Sequence, residues 1–279
     1  MIKNKQAVIH YSGGTDSTCV VCLKANEFEK IHLISYKRFG IFQTKNIETN
    51  VEKLNKMFGK DKFVRRIMDI NKLYKFIVYN DYFYNLKKFG FFNLAVCGLC
   101  KMAMHTRTII YCLENNIDTV FDGANKFAGN KLATDQIKEY IDVINELYSK
   151  FNISYSAPVY DMSAPKHITW QLKLGMEKDK DNNNGEITTG MLLKNLGFFD
   201  RDNLKGTKQD KNMQARCFQQ FLSNIALNYY YIEENGEDKY RQKIKEFFKE
   251  KAYKLINYIH EYTIDTKKSK LSKYIENKL

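Results

Sequence analysis

No stretch of this 279-residue chain approaches the roughly 18 uninterrupted apolar residues that a membrane-spanning helix needs. Its amino-terminal segment also lacks the apolar core and the cleavage site of a secretory signal. We therefore expect a cytoplasmic protein with no membrane partner. Six cysteines in a chain without such a signal fit free thiols or metal ligands better than a disulfide framework.

Proline and arginine are also scarce. The only prolines are Pro158 and Pro165, and arginine is far outnumbered by lysine among the 45 basic residues. Against 32 acidic residues these give a net charge of +13, which favours a polyanionic partner such as nucleic acid, although a lysine-rich composition also arises from an AT-rich genome. With 44% apolar and 28% charged residues, the chain is expected to bury a core, which excludes wholesale disorder.

Short β-branched runs alternate with helical patterns along the first half of the chain. The predicted strands are Ala7–Tyr11, Ile31–Tyr36, Phe63–Met68 and Thr119–Phe121. The predicted helices between and after them are Ser17–Ala25, Asn46–Met57, Lys101–Glu114 and Thr134–Ser149. This alternation predicts an α/β fold with a doubly wound parallel sheet.

Residues 177–187 have almost no apolar content and predict a flexible loop. We therefore predict an α/β domain over residues 1–176 and a small helical carboxyl-terminal domain over residues 188–279. Within the second domain, Asn212–Tyr231 and Asp238–Tyr262 have helical patterns, and the latter carries an apolar face opposite lysines.

The first predicted strand runs directly into a glycine-containing loop, Ser12-Gly13-Gly14-Thr15-Asp16-Ser17-Thr18, followed at once by a helix. Glycines let the backbone approach an anion, and a helix amino terminus offers free N–H groups and partial positive charge. Hydroxyl side chains add further donors, so the loop predicts a phosphate site. Asp16 would repel phosphate unless it caps the helix or helps to hold Mg²⁺.

The loop lacks the Gly-Lys-Ser/Thr end of the Walker pattern and the third glycine of the dinucleotide pattern. It resembles instead the SGGxDS loop of the PP-loop ATP pyrophosphatases, which implies a HUP-type fold and an AMP-forming enzyme using ATP and Mg²⁺. The resemblance extends to Asp122-Gly123-Ala124-Asn125 and to Pro158–Ser163 with Lys166, Leu172 and Gly175. It assigns nucleotide binding to Ser12, Gly13, Gly14, Thr15, Asp16, Ser17, Thr18, Gly123 and Asn125. Catalytic roles fall on Asp16, Ser17 and Lys166.

Cys97-Gly98-Leu99-Cys100 precedes a predicted helix and has the spacing with which two thiolates bind one metal centre. Cys217 would be a third ligand. His105, one turn beyond Cys100, is a possible fourth ligand, with an ordinary helix position as the alternative. Cys19, Cys22 and Cys112 lie in apolar helical surroundings and are expected to pack in the core.

An early SGGxDS loop, a C-x-x-C and one later cysteine resemble the layout of tRNA thiolation enzymes of the two-thiocytidine and two-thiouridine type. That resemblance implies sulfur transfer to a tRNA base by a [4Fe–4S] cluster on Cys97, Cys100 and Cys217, with a sulfur donor protein or sulfide as a partner. Whether the active form is a monomer or a homodimer stays open on the residues alone. Residues 60–91 mix basic and aromatic side chains, which suits stacking on unpaired bases, but about half of the rings are expected to be interior.

Two alternatives stay open on the residues alone. One is an amide- or nitrile-forming ligase similar to the 7-cyano-7-deazaguanine synthases, in which the cysteines would hold structural Zn²⁺. The other is a non-catalytic nucleotide-binding or RNA-binding protein that would bind ATP without releasing pyrophosphate.

Overall fold

The computed structural model describes residues 5–126, 133–163, 187–204, 207–217 and 230–275, together with residues 219 and 227. The strands are β1 Gln6–His10, β2 Lys30–Lys37, β3 Ile41–Phe42, β4 Phe63–Asp69, β5 Thr119–Phe121, β6 Ser154–Ser156 and β7 Arg216–Cys217. The helices are α1 Thr15–Lys24, α2 Ile47–Phe58, α3 Asn71–Tyr79, α4 Tyr82–Phe89, α5 Val96–Asn115, α6 Lys138–Ser149, α7 Thr189–Asn195, α8 Lys208–Met213, α9 Ile232–Asn235 and α10 Glu237–Ile264.

Five strands form one parallel sheet in the order β4-β2-β1-β5-β6. This confirms the predicted fold class and each of the predicted strands. The edge strand β6 was not predicted, because Ser154–Ser156 is short and only its central Tyr155 is buried. Such a segment lacks the apolar run by which the other strands are recognised.

Helices cover both faces of the sheet because residues in β1 alternate between two cores. Val8 packs with α3, α5, α6 and α10 on one face. Ala7 and Ile9 pack with α1, α2 and α7 on the other. His10 follows the alternation and faces α5, whereas Tyr11 faces α1.

The chain order within the sheet reverses between β1 and β5. From β1 the chain continues through β2 to β4 on one side, and then returns to build β5 and β6 on the other side. In an open parallel sheet, the crevice at the carboxyl ends of the strands flanking such a reversal is the usual ligand site. The glycine loop follows β1 and Asp122-Gly123 follows β5, so both segments lie at this crevice.

The long helix α10 confirms the predicted helix Asp238–Tyr262. Its buried face packs against α5 and α6 and shares their apolar core. The predicted helix Asn212–Tyr231 is wrong over 214–217, because α8 ends at Met213 and β7 pairs antiparallel with β3. Residues 164–186 lie outside the described residues, so the two-domain division stays a prediction.

Within the described residues, none of the helices combines the length and apolar character required to cross a bilayer.

Candidate functional site

The glycine loop joins the carboxyl end of β1 to the first turn of α1. Gly13 has a φ of +78°, a left-handed conformation that glycine adopts without strain. The Gly13 carbonyl accepts a 2.8 Å hydrogen bond from the buried Asn50 side chain. The N-cap residue of α1 is Gly14, and Asp16 lies in the first turn of the helix. Asp16 Oδ1 accepts a 2.7 Å hydrogen bond from Thr189 Oγ1 at the start of α7.

Hydroxyl groups within the loop bond to one another. Ser12 Oγ lies 3.1 Å from Ser17 Oγ and accepts a 3.3 Å hydrogen bond from the Gly14 N–H. Ser17 Oγ also donates to the Gly14 carbonyl at 3.2 Å. These bonds fix a concave turn ahead of the α1 amino terminus, the geometry in which backbone amides bind anions.

Two segments that are distant in the sequence pack against the glycine loop. A Cβ atom at Gly123, after β5, would lie 2.7 Å from the Ser17 nitrogen, so only glycine fits there without displacement. A Cβ atom at Gly14 would lie 2.7 Å from Gln214 Oε1, and one at Gly13 would clash with the Met213 carbonyl. Met213 and Gln214 therefore lie directly against the glycine loop, and Ala215, Arg216 and Cys217 line the same cavity.

A cavity of about 570 Å³ opens at this crevice. One part of its wall is the glycine loop with Ser12, Gly14, Thr15, Asp16 and Ser17. Other parts of the wall come from β1, β2, α5, the segment after β5 and residues 210–217. The volume is within the range of small-molecule and cofactor sites.

Another part of the cavity wall is a buried cluster of charged and titratable side chains, in contrast to the hydroxyls and backbone amides of the loop. Lys101 Nζ lies 2.6 Å from Asp122 Oδ2 and 2.9 Å from Oδ1. His10 Nδ1 lies 3.6 Å and His105 Nε2 lies 3.7 Å from the same Oδ2 atom, and the two imidazoles stack with centroids 4.7 Å apart. Lys101, His10 and Asp122 line the cavity.

Burial and charge act in opposite directions on these groups. Burial alone would raise the pKa of Asp122, but the Lys101 ammonium and the adjacent histidines lower it, leaving the pKa well below its usual range. Burial lowers the pKa of His10 to about 4 and that of His105 well below its ordinary value. At neutral pH the cluster therefore holds one ammonium, one carboxylate and two neutral imidazoles.

The three predicted metal-binding cysteines converge around Arg38. The Arg38 guanidinium donates to Cys100 Sγ at 2.9 Å and to Cys217 Sγ at 3.7 Å. Burial raises the pKa of Cys97 and of Cys100, and the three thiols lie near enough to act on one another electrostatically. Cys217 also lines the cavity, so the cysteines adjoin the glycine-loop site.

Cys97 and Cys100 lie in the first turn of α5, which begins at Val96 and not after the cysteines as expected. Gly98 explains this early start. Its carbonyl accepts a 2.9 Å hydrogen bond from Tyr140, and the Phe248 ring packs where a Cβ atom would stand. Because α5 packs closely against α6 and α10 at Gly98, the C-x-x-C segment is part of the helix.

The remaining predicted site residues occupy different places. Thr18 is buried and does not line the cavity, but its hydroxyl lies 3.3 Å from the hydroxyl of Tyr11, which does. Asn125 lines the cavity, but its side chain donates to the Val159 and Met162 carbonyls at 3.1 and 2.9 Å. Lys166, Leu172 and Gly175 lie outside the described residues.

Three residues at or beside the cavity were not predicted from the sequence: Lys101 and His10, which line it, and Arg38, which bonds the cysteines. His105 was considered as a fourth ligand beside Cys100, but it lies instead next to Asp122 and Tyr148. Each belongs to a segment with an ordinary secondary-structure pattern, and only tertiary packing brings them together. A partial signal existed for His10, because a polar residue near the carboxyl end of a central strand lies next to the ligand crevice. Cys19, Cys22 and Cys112 are buried as expected, and burial raises the pKa of both Cys19 and Cys22 to about 12.

No protein-family model matches the chain, and no curated protein matches it. Among solved structures, the predicted subunit of tRNA methyltransferase from Methanocaldococcus jannaschii is similar over 56% of this chain and 69% of its own, with 17% identity and a TM-score of 0.34. A similarity of this size implies no shared activity.

Proposed function

We propose that this protein is an ATP-dependent, AMP-forming enzyme that adenylates its substrate and releases pyrophosphate. The observation that carries the proposal is the Ser12–Ser17 loop. It lies at the sheet reversal, ahead of the α1 amino terminus, and forms part of the wall of a cavity of about 570 Å³. The resemblance of this loop to the SGGxDS loop of PP-loop ATP pyrophosphatases supports the same activity.

In the proposed reaction, backbone amides and hydroxyls of the loop bind the β- and γ-phosphates. A substrate oxygen attacks the α-phosphorus, the bond between the α-phosphorus and the bridging oxygen breaks, and pyrophosphate leaves with that electron pair. The catalysis required is positioning and stabilisation of developing negative charge. Mg²⁺, when bound, would neutralise the pyrophosphate, and Asp16 is the carboxylate of the loop that could hold it.

The finer proposal is sulfur transfer to a tRNA base, with the base carbonyl oxygen as the nucleophile that becomes adenylated. Sulfide from a donor would then displace AMP, which takes the oxygen with it. Cys97, Cys100 and Cys217 would hold a [4Fe–4S] cluster, whose open iron supplies sulfur-binding chemistry when the cluster is present.

The arrangement of the thiols suits a cluster better than one ion. Sulfurs around a single tetrahedral Zn²⁺ lie roughly 3.8 Å apart. Among the described residues, the group with ligand atoms within 4.8 Å of one another is His10, His105 and Asp122, and the cysteines form no such group. Cysteines that each bind a different iron tolerate wider spacing, and Arg38 would offset the negative charge of a thiolate-bound cluster.

An exposed aromatic and basic face supports an RNA partner. Tyr79, Phe83 and Phe91 are 65%, 83% and 63% exposed, whereas Phe89 and Phe92 from the same region are buried. The Lys88 and Lys254 ammonium groups lie over the Tyr84 ring at 5.5 and 5.0 Å, although both lysines also pair with Glu250. Exposed rings beside lysines can stack on unpaired bases while contacting phosphates.

The adenylation proposal is tested by pyrophosphate release from ATP, with bulk tRNA as acceptor. Asp16→Ala should lower the rate at least about 100-fold, the usual effect of losing one transition-state charge contact, with an unchanged circular dichroism spectrum. Asp16→Asn retains the bond to Thr189 and isolates the charge. Asp142→Ala, which removes a surface carboxylate paired with Lys138, is the control. Nucleotide binding with no pyrophosphate release from the unmodified protein would contradict the proposal.

The cluster proposal is tested by iron, sulfide and zinc analysis after anaerobic purification. Cys97→Ser and Cys217→Ser should lose iron and sulfide while ATP binding persists. Cys19→Ser, which alters a buried thiol on the opposite face of the sheet, should retain both. Zinc without iron, or full iron content in Cys97→Ser, would overturn the ligand assignment, and zinc alone would favour the nitrile-forming alternative.

A further inference from the structure

Three ligand atoms from different elements meet in the cavity wall: His10 Nδ1 from β1, His105 Nε2 from α5 and Asp122 Oδ2 after β5. All lie within 4.8 Å of one another, and all three residues are buried. The cavity is lined by His10 and Asp122. Neither imidazole is used in the ATP chemistry proposed above.

The groups around His10 Nε2 accommodate a proton on that nitrogen. Thr108 Oγ1 donates to the Met104 carbonyl at 2.9 Å and lies 2.7 Å from His10 Nε2, from which it can accept. The Tyr36 hydroxyl bonds to Thr108 Oγ1 and lies 3.3 Å from the same nitrogen. In the tautomer with the proton on Nε2, Nδ1 keeps a lone pair.

That lone pair is buried and points at an anion. His10 Nδ1 has no hydrogen-bond partner among the described residues, and Asp122 Oδ2 lies 3.6 Å away. Burial disfavours protonation of the imidazole, lowering the pKa of His10 to about 4. The Lys101 ammonium, 2.6 Å from Oδ2, satisfies the carboxylate but leaves His10 Nδ1 without a partner, and a cation bound between Nδ1 and Oδ2 would satisfy that nitrogen.

His105 supplies a second nitrogen with the same orientation. Its Nδ1 atom lies 3.1 Å from the Tyr148 hydroxyl, and its Nε2 atom lies 3.7 Å from Asp122 Oδ2. In metal sites the second ring nitrogen of a ligating histidine usually bonds to a fixed protein group. Thr108 for His10 and Tyr148 for His105 provide that support.

We propose that His10 Nδ1, His105 Nε2 and Asp122 Oδ2 bind a divalent transition-metal ion of the Zn²⁺ type. Two imidazoles and one carboxylate suit Zn²⁺ and its neighbours and do not suit Mg²⁺, which prefers oxygen ligands. The site is therefore distinct from the Mg²⁺ of an ATP complex and from the cysteine site.

The spacing is consistent with an ion held by small side-chain movements. Ligand atoms about 2.1 Å from a tetrahedral ion lie roughly 3.4 Å apart, against 3.6 and 3.7 Å for the two nitrogen–oxygen separations. Ligation by Oδ2 requires Lys101 to give up its 2.6 Å bond to that atom, while it can keep the 2.9 Å bond to Oδ1. Three protein ligands leave a coordination position for a molecule in the cavity, as in catalytic zinc sites.

The experiment measures Zn²⁺ affinity by chelator competition without nucleotide, in Cys97→Ser/Cys217→Ser protein so that the cysteine site does not contribute. One equivalent of Zn²⁺ should bind. His10→Gln and His105→Gln should each weaken binding at least about tenfold. His32→Gln is the matched control, because His32 is also buried but bonds Tyr111 and Gln6. Absence of stoichiometric binding, or unchanged affinity in His105→Gln, would overturn the proposal.

A second measurement needs no substitution within the cluster. Co²⁺ bound to the same double-cysteine protein should show ligand-field absorption without thiolate charge-transfer bands, and pulsed EPR of Cu²⁺ should show imidazole nitrogen coupling. Charge-transfer absorption or an absence of nitrogen coupling would overturn the site even if a histidine variant failed to fold. Because ATP is absent, these results are separable from any failure of pyrophosphate release.

Discussion

The two ends of the cavity are built in opposite ways. At the glycine-loop end, Ser12, Gly14 and Ser17 bond to one another across at most five residues of sequence. At the charged end, Lys101 and Asp122 are 21 residues apart and His10 bonds Thr108 across 98 residues. The loop is therefore specified locally, whereas the charged end exists only when β1, α5 and β5 are packed together.

Substitutions at the two ends should also have different effects on ligand binding and on folding. Ser12 is exposed and the loop consists of hydroxyls and backbone amides, so its alteration should impair ligand binding more than folding. The side chain of Asp122 is only 4% exposed, and its charge is balanced by Lys101. Removing one member of a buried ion pair leaves an uncompensated charge, so alteration there should impair folding first.

The largest expected effect follows from removing Lys101. Lys101→Met keeps the aliphatic stem but leaves the Asp122 carboxylate without its ammonium partner, which should lower the free energy of unfolding by about 3–5 kcal/mol. Urea denaturation at pH 7 measures the change. Lys138→Met, at an exposed lysine paired with Asp142, should cost less than about 0.5 kcal/mol. Equal costs for the two variants would refute the contrast between the two ends.

Lowering the pH should destabilise the folded protein through the groups of the charged end, without any substitution. The pKa of His10 is about 4 in the folded protein against an ordinary value of 6.5, so the unfolded chain binds more protons between these values. The stabilisation is complete above pH 6.5 and is lost as the pH falls toward 4, by about 3 kcal/mol for this group. Below pH 4 the lowered pKa of Asp122 adds to the loss.

The measurement is the urea midpoint between pH 7.5 and 4 with a chelator present, so that no bound metal contributes. His10→Gln should reduce the pH dependence, because glutamine does not titrate, and the lowered pKa values of His105 and His32 should supply the slope that remains. His260→Gln, at an exposed histidine on α10, is the control variant. The same slope in His10→Gln as in the unmodified protein would show that this imidazole does not dominate the pH response.

The contrast also explains what could be predicted from the sequence. The strands β1, β2, β4 and β5, and the glycine loop after β1, were predictable because apolar periodicity and turn chemistry act over a few residues. Bringing Lys101 and the two histidines to Asp122 required the strand order and the packing of α5, which periodicity does not determine. The β7 pairing was missed for the same reason, since β3 and β7 are two-residue strands separated by most of the chain.

The spacing of the cysteines predicted only part of their site. The C-x-x-C pattern identified Cys97 and Cys100, but the part of Arg38 could not be predicted, because no short-range pattern places a guanidinium from the end of β2 against two thiols. The α5 boundary was misplaced because Gly98 is a weak helix former whose role is close packing against Phe248.

A smaller effect is expected at the loop end from Gly13→Ala. The φ of +78° disfavours any Cβ atom, and that atom would also clash with the Met213 carbonyl. ATP affinity should fall at least about tenfold, which corresponds to about 1.4 kcal/mol. Isothermal titration measures it. Gly59→Ala, also at positive φ but with no atom within 4 Å of the added Cβ, separates backbone strain from the contact. Equal ATP affinity in both variants would contradict a role for close approach.

An effect of similar size is expected at the hydrogen bond that links the loop to α7. Thr189→Val keeps the side-chain volume but removes the 2.7 Å hydrogen bond from Thr189 Oγ1 to Asp16 Oδ1. A lost hydrogen bond to a charged group is worth about 1.5 kcal/mol, so pyrophosphate release should fall about tenfold while the protein stays folded. Thr106→Val, which removes only an intrahelical bond from a buried threonine, is the control. A lower kcat with an unchanged KM would indicate that Thr189 orients Asp16 for the chemical step. If neither kcat nor KM changed, the hydrogen bond from Thr189 to Asp16 would have no part in the reaction.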